Sequence, residues 1–279
     1  MNPELSFVTI EYYCPDDLGA CIESIQEKCA DISYEIIVSS NSLYEIQKRE
    51  RLKKKFHGVK WIFNEKNLGF AAAMNKGILI SSGKCVVVIN PDARLLAGSL
   101  PDAYDYLLSH PEVGIVGPRI VDNNGNVQDS CRKFLTPVEL MLRTVERVFL
   151  KKEVLWNERF DYDVIQSVDW VIGAFMMIKR NPMEKVGLFD DKYFLYIEDM
   201  DWCKRFWDSG FSVVYYPELV IEYKGDRKST SFLVSGGFVS RYTLYHLKSY
   251  ARFLKKYGLG VKRSKRSLPM GRSSLPPSQ

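Results

Sequence analysis

The stretch KCVVVINPD, residues 84–92, decides how this chain folds. Val86 to Ile89 is an unbroken apolar, mostly β-branched run, the pattern of a strand buried on both faces of a parallel sheet. The strand stops at Asn90-Pro91-Asp92, because proline has no N–H to give to a ladder. Asp92 therefore stands on a stiff corner at the carboxyl edge, where open α/β sheets take their ligands. A carboxylate fixed there can hold a divalent cation against the phosphates of a nucleotide. An Asp after a proline also has a plain structural use as a turn residue. The second acidic cluster, YIEDMDWCKR at 196–205, tips the reading toward chemistry.

Upstream, strand and helix patterns alternate. Leu5 to Tyr13, Tyr34 to Ser39 and Val59 to Phe63 read as strands. Between them lie an amphipathic helix over Asp17 to Ala30 and a charged surface helix over Ser42 to Phe56. NEKNLGFAAAMNKGILISSG (64–83) is a loop opening into a helix from about Gly69 to Ser81. Strands joined by helices of this length imply right-handed crossovers and a mostly parallel sheet flanked by helices. Downstream, a helix is expected over Pro101 to Ser109, and Asn124-Gly125 marks a hairpin. Thr136 to Leu150 reads as a helix, 151–167 as a loop, and VDWVIGAFMMIKR (168–180) as one buried strand. A short helix with Pro182 in its first turn follows, then a helix over Glu198 to Ser209 and a strand over 212–217. A long helix over Gly236 to Tyr257 carries apolar positions that suit packing on the body or lying on lipid.

The 279 residues, 46% hydrophobic and 13% aromatic, suit one large α/β domain, or one domain with an appendage. No apolar run approaches the roughly 18–20 residues of a membrane span. The first residues lack a basic n-region, so no secretory signal is expected. Six scattered cysteines without a CxxC fit a reducing cytoplasm and argue against a zinc site. The net charge of +5 is unevenly spread: twelve Lys and Arg follow Asp226, with no acidic residue among them. That leaves 27 basic against 34 acidic residues in the first 226, a net of −7. An acidic body with a basic tail speaks against a nucleic-acid binder and for a tail that meets an anionic surface.

The order NLGFAAAMNKG (67–77), INPD (89–92), VDWVIGAFMMIKR with GLFD (168–190) and FLYIEDMDWCKR (194–205) resembles family 2 glycosyltransferases of the GT-A fold, rhamnosyltransferase-like members especially. The resemblance spans roughly residues 5–225. It implies a catalytic domain over 1–226, with a nucleotide-sugar half (1–92) and an acceptor half (93–226). A helical extension (227–258) and a disordered basic tail (259–279) follow.

Gly69 permits close backbone approach, and the helix start behind it favours anions. The family reading puts the donor at Asn67, Gly69, Asn75, Asn90 and Asp92, with Asp92 holding Mg²⁺ or Mn²⁺ on the diphosphate. Glu198, Asp199 and Asp201 place three carboxylates at a helix start, more than capping uses, and close like charges raise at least one pKa. By resemblance Asp199 deprotonates the acceptor, with Asp201 as the competing base. Glu198 positions the acceptor, and Asp201 otherwise orients the loop or Arg205. Trp170 and Gly173 resemble the acceptor-side strand, although a buried Trp is more often core than sugar platform.

Two departures stand out. Ser40 occupies the position of an acid that contacts the nucleoside, and no His follows the strand near Pro217, leaving Glu222 or Tyr223 at the metal. The implied activity is inverting transfer from a nucleotide sugar, of dTDP-rhamnose or UDP-sugar type, to a saccharide or lipid-linked saccharide in bacterial surface polysaccharide synthesis. The setting would be the cytoplasm, at the inner face of the plasma membrane. The alternative is a catalytically weak sugar-nucleotide-binding or scaffold protein. A nucleotidyltransferase is disfavoured, since IEYYCPDD lacks a Gly-rich basic loop.

Overall fold

The computed structural model describes residues 2–134, 160–225 and 241–261. The helix expected over 136–150, most of the following loop, residues 236–240 of the last helix and the tail beyond 261 lie outside the described residues.

The first half is built as its periodicity demands. Strands β1 (Leu5–Glu11), β2 (Tyr34–Ser40), β3 (Val59–Phe63) and β4 (Cys85–Ile89) pair in parallel in the order β3-β2-β1-β4. Helices α1 (Pro15–Lys28), α2 (Ile46–Lys55) and α3 (Phe70–Leu79) form the connections. Alternate residues of β4 serve opposite faces, as strand geometry requires. Val87 and Ile89 join Phe7 and the Leu18, Ile22 and Ile25 side of α1. Val86 and Val88 join Val8, Ile10 and the Ala71, Met74 and Ile78 side of α3. Each such fully buried side chain contributes roughly 1.5–3 kcal/mol. α1 opens with Pro15 and the acids Asp16 and Asp17, and Lys28 closes it, which suits the helix dipole. α3 lies close on β1 because a Cβ at Gly77 would stand 2.3 Å from Val8 Cγ1.

The second half is mixed where a mostly parallel sheet was expected. β5 (Ala93–Ala97), β6 (Val113–Val121), β8 (Gln166–Ser167), β10 (Phe175–Lys179) and β11 (Ser212–Tyr223) extend the sheet. β10 runs antiparallel to β4 and β6, β11 parallel to β6, and β5 and β8 antiparallel to β11. α4 (Leu100–Ser109), capped by the Ser99 hydroxyl, covers one face. The Asn124-Gly125 turn forms, with Gly125 at φ +80° and a bridge between Val121 and Val127.

The single strand expected over 168–180 is two pieces. β9 (Trp170–Val171) leaves the main sheet to pair with β7 (Cys131–Arg132), and β10 starts after Gly173. The break follows from hydrogen bonds that an apolar run does not announce. Val168 N donates to Val213 O, Ile172 N to Ser130 O, and the Asp169 carboxylate accepts Phe134 N. α5 (Arg180–Val186) and α6 (Glu198–Asp208) follow, and α7 (Arg241–Tyr257) packs Phe253 into the α6 side of the core. β5 had no sequence signal; it is a short edge strand held by β11.

Candidate active site

β4 delivers Asp92 to the carboxyl edge. Asn90 N donates to Ala174 O (2.9 Å) and Ala93 N to Asn90 O (3.1 Å), so the Asn90-Pro91-Asp92 corner is fixed from both sides. The Asn90 amide donates to the Tyr223 hydroxyl at 3.1 Å. Burial pushes the Tyr223 phenol well up, and the charges of Asp92 and Asp199, with Tyr196, add to it against the Asn90 bond. One hydroxyl thus stands in the field of both acidic groups.

Asp199, in the first turn of α6, accepts Gly173 N on Oδ2 and Met200 N on Oδ1, each at 2.8 Å. The Gly173 kink is therefore what carries a backbone donor to the carboxylate. Burial raises the Asp199 pKa, opposed by those two N–H groups and by Arg132. Glu198 beside it is 6% exposed, and its Oε2 has no hydrogen-bond partner. Burial first, then the Asp199 charge, pushes Glu198 well above an ordinary Glu. Both carboxyls are pushed up by burial, and Asp199 alone has two N–H donors that oppose the shift.

Asp201 points elsewhere. It is 0% exposed and bonded to Arg205 Nε (2.9 Å), Lys256 Nζ (2.7 Å), and the hydroxyls of Tyr257 (3.1 Å) and Tyr193 (3.2 Å). Arg205 in turn donates to Val186 O and Leu188 O. Asp201 does orient Arg205, but a carboxylate so enclosed presents no face to an acceptor hydroxyl.

At the start of α3, Gly69 at φ +80° lets Phe70 N reach Phe194 O at 2.7 Å. Asn67 Oδ1 accepts Gly69 N at 2.9 Å, which shapes the turn into α3. Asn75 is committed at both ends of its amide to the Phe189 main chain (2.9 and 3.0 Å), so it braces α3 against the 187–190 turn rather than facing a donor. Ser40 is fully buried and donates to Glu11 Oε2. Glu11, in register with Ser40 at the end of β1, also accepts the Tyr44 hydroxyl (2.8 Å) and Cys14 N (3.1 Å). Where the second strand lacks its acid, the first strand supplies one.

Trp170 is 8% exposed, donates its indole N–H to Lys133 O at 3.1 Å and carries Arg132 over its ring at 5.1 Å. It is thus packed in the core with the Arg132 guanidinium over its ring. Tyr223 bonds Asn90 and stands in register with Ala93, while Glu222 stands in register with Arg94.

Among the described residues no three His, Cys, Asp or Glu side chains form a ready metal cluster. Mg²⁺ and Mn²⁺ on a nucleotide ask for only one or two carboxylates, with phosphate and water completing the shell. Asp92 on its corner fits that demand. The sequence did not single out Arg132 and His246, which stand near the start of α6. Arg132 pulls the Asp199 pKa down, and the His246 imidazole is pushed down by burial and by Arg132. The only signal for His246 was its place in an apolar helix pattern.

The chain matches the family model "Glycosyl transferase family 2" over residues 6–187. It is 26% identical over 179 residues to N-acetylglucosaminyl-diphospho-decaprenol L-rhamnosyltransferase of Mycobacterium tuberculosis, covering 59% of this chain and 58% of that protein. To the low-salt glycan biosynthesis hexosyltransferase of Haloferax volcanii it is 23% identical over 210 residues, covering 74% of this chain and 62% of that one. The chain thus spans less than two thirds of either relative. The fold is similar to that of GalNAc-T7 with UDP, GalNAc and Mn²⁺: TM-score 0.60, 15% identity, 91% of this chain and 48% of that one. It is also similar to a mannosyltransferase of Pyrobaculum calidifontis with GDP-Man and Mn²⁺: TM-score 0.57, 17% identity, 95% and 67%. Fold, corner acid and family match agree, and the chain belongs to the glycosyltransferase family 2, in the GT-A fold.

Proposed function

We propose that the chain is an inverting glycosyltransferase with Asp199 as the general base. The observation that carries this reading is the unequal pair at the start of α6. Glu198 is buried with an orphan oxygen, while Asp199 is held by two N–H groups within the field that also reaches Tyr223 and the Asp92 corner. Asp199 takes the proton of an acceptor hydroxyl, whose oxygen attacks the anomeric carbon. The bond from that carbon to the diphosphate breaks, and its electron pair leaves with the nucleoside diphosphate. Glu198, protonated, donates a hydrogen bond that seats the acceptor. Asp201 is a positioning residue.

Asp92 would hold Mg²⁺ or Mn²⁺, which when bound balances charge on the departing diphosphate. Asn67, Gly69 and Asn90 shape the donor side, with Glu11 and Ser40 fixing its wall. The rhamnosyl and hexosyl transfer in the relatives' names supports a nucleotide sugar donor, in this reading of dTDP-rhamnose or UDP-sugar type. The acceptor in the first relative's name supports a saccharide or lipid-linked saccharide acceptor, in this reading met at the inner face of the plasma membrane during bacterial surface polysaccharide assembly. A second reading, a sugar-nucleotide-binding scaffold, draws on Ser40 being spent on Glu11.

A panel of sugar nucleotides, scored for slow hydrolysis with Mn²⁺ and with chelator, tests both. Asp199→Asn is expected to lower turnover by about 10²- to 10⁴-fold while nucleoside diphosphate still binds. Binding without turnover by the unmodified chain would favour the scaffold, and turnover of the variant at the normal rate would remove Asp199 as base.

A further inference from the structure

We infer that α7 has two working faces: the outer one docks on an anionic lipid surface, and the inner one clamps the loop that carries the catalytic pair. The inner contacts run residue by residue along 193–196. Arg252 lies over the Tyr193 ring (6.0 Å), Tyr245 packs on Phe194 (4.8 Å), Ser249 donates to Leu195 O (2.9 Å) and His246 packs on Tyr196 (5.5 Å). Lys256 and Tyr257 then close on Asp201, and Lys256 also reaches Asp190 at 3.2 Å. That loop ends in Tyr196 and Ile197, both left-handed, immediately before Glu198 and Asp199. Its Phe194 carbonyl holds the start of α3. A shift of α7 therefore moves the loop on which both the base and the donor-side helix start depend.

The outer face is not an ordinary solvated one. Leu244 (44% exposed), Leu247 (52%), Ala251 and Leu254 follow at i, i+3, i+7 and i+10, a single stripe on a helix. Beside it runs a row of exposed cations, Arg241, Lys248 and Lys255. No Asp or Glu occurs between residues 241 and 257. An apolar stripe edged by cations without acids is the pattern of a helix lying in a membrane interface. No helix among the described residues is long and apolar enough to cross a membrane. The charge complementarity commits the partner to anionic lipid rather than an acidic protein, because the leucines enter an acyl boundary at the depth where headgroups meet the lysines.

The inference rests on the proposed function for the roles of Glu198 and Asp199, but neither arm of its test measures turnover, so the two readings fail separately. In the first arm the full chain is sedimented with phosphatidylglycerol-containing vesicles and with pure phosphatidylcholine vesicles. Salt-sensitive binding to the first alone is expected. Each cation at such a surface is worth roughly fivefold in partition, so Lys248→Ala with Lys255→Ala should lower binding roughly 25-fold. Leu244→Ser with Leu247→Ser should also weaken it. No binding, equal binding to both vesicles, or full binding by these variants through the tail beyond 261 would each overturn the docking face. In the second arm, amide exchange over 193–199 is expected to slow on anionic vesicles. Lys256→Met should keep the binding and lose the slowing; an exchange rate unchanged by vesicles would overturn the coupling.

Discussion

Asp201→Asn separates a structural carboxylate from a catalytic one. Asp201 holds two cations and two hydroxyls with no access to water, so the substitution leaves Arg205 and Lys256 facing a neutral amide. Removing one partner of a buried ion pair costs about 3–5 kcal/mol. Two features of the structure pull the value to the low end. Arg205 keeps its Val186 and Leu188 carbonyls, and Lys256, a third exposed, keeps Asp190 and gains water. We expect a loss of about 3 kcal/mol in urea unfolding. Lys256→Met alone should cost less, about 1 kcal/mol, because Arg205 and both tyrosines still serve Asp201. The double variant should fall short of the sum by about 1 kcal/mol, since the lysine no longer has a charge to lose. Turnover per folded molecule should stay within about tenfold of the parent. A stable Asp201→Asn protein without turnover would refute this reasoning and move the base to Asp201.

Glu198→Gln should retain most activity, since a neutral donor replaces a protonated one, whereas Glu198→Ala should lose it; equal losses would show that Glu198 works as an anion. The rate should climb with pH through a value above the ordinary 3.8 of an Asp, because burial raises Asp199, and a pH–rate profile reads this directly. Gly69→Ala puts a Cβ 2.2 Å from Phe194 O at φ +80°, and should cost on the order of 1–3 kcal/mol in thermal unfolding and weaken nucleoside diphosphate binding. Glu35 is half-buried, but Lys60, Ser6 and Ser82 hold its carboxyl down to about 2. Its contribution to stability is present above its ordinary 4.5 and lost as pH falls toward 2. Glu35→Gln should therefore flatten acid unfolding in that window, and an unchanged acid limb would discount the interaction.

The parallel half, the corner at Asp92 and the acidic start of α6 were legible in the order of residues alone. In these stretches each residue's surroundings are set by its own strand or helix period, and proline and glycine act locally. The sequence also flagged Ser40 as a departure. Only the tertiary structure decided what each polar group faces. Asn75 finds its partner 114 residues away at Phe189, and Asp201 finds Lys256 55 residues on. The β9–β10 break depends on donors from 130–134 and 213. Asn90 finds the Tyr223 hydroxyl 133 residues away. A hydrophobic period reports that a residue is buried, not against what, and so the partners of Asp201, Glu11 and α7 are set by contacts between distant elements.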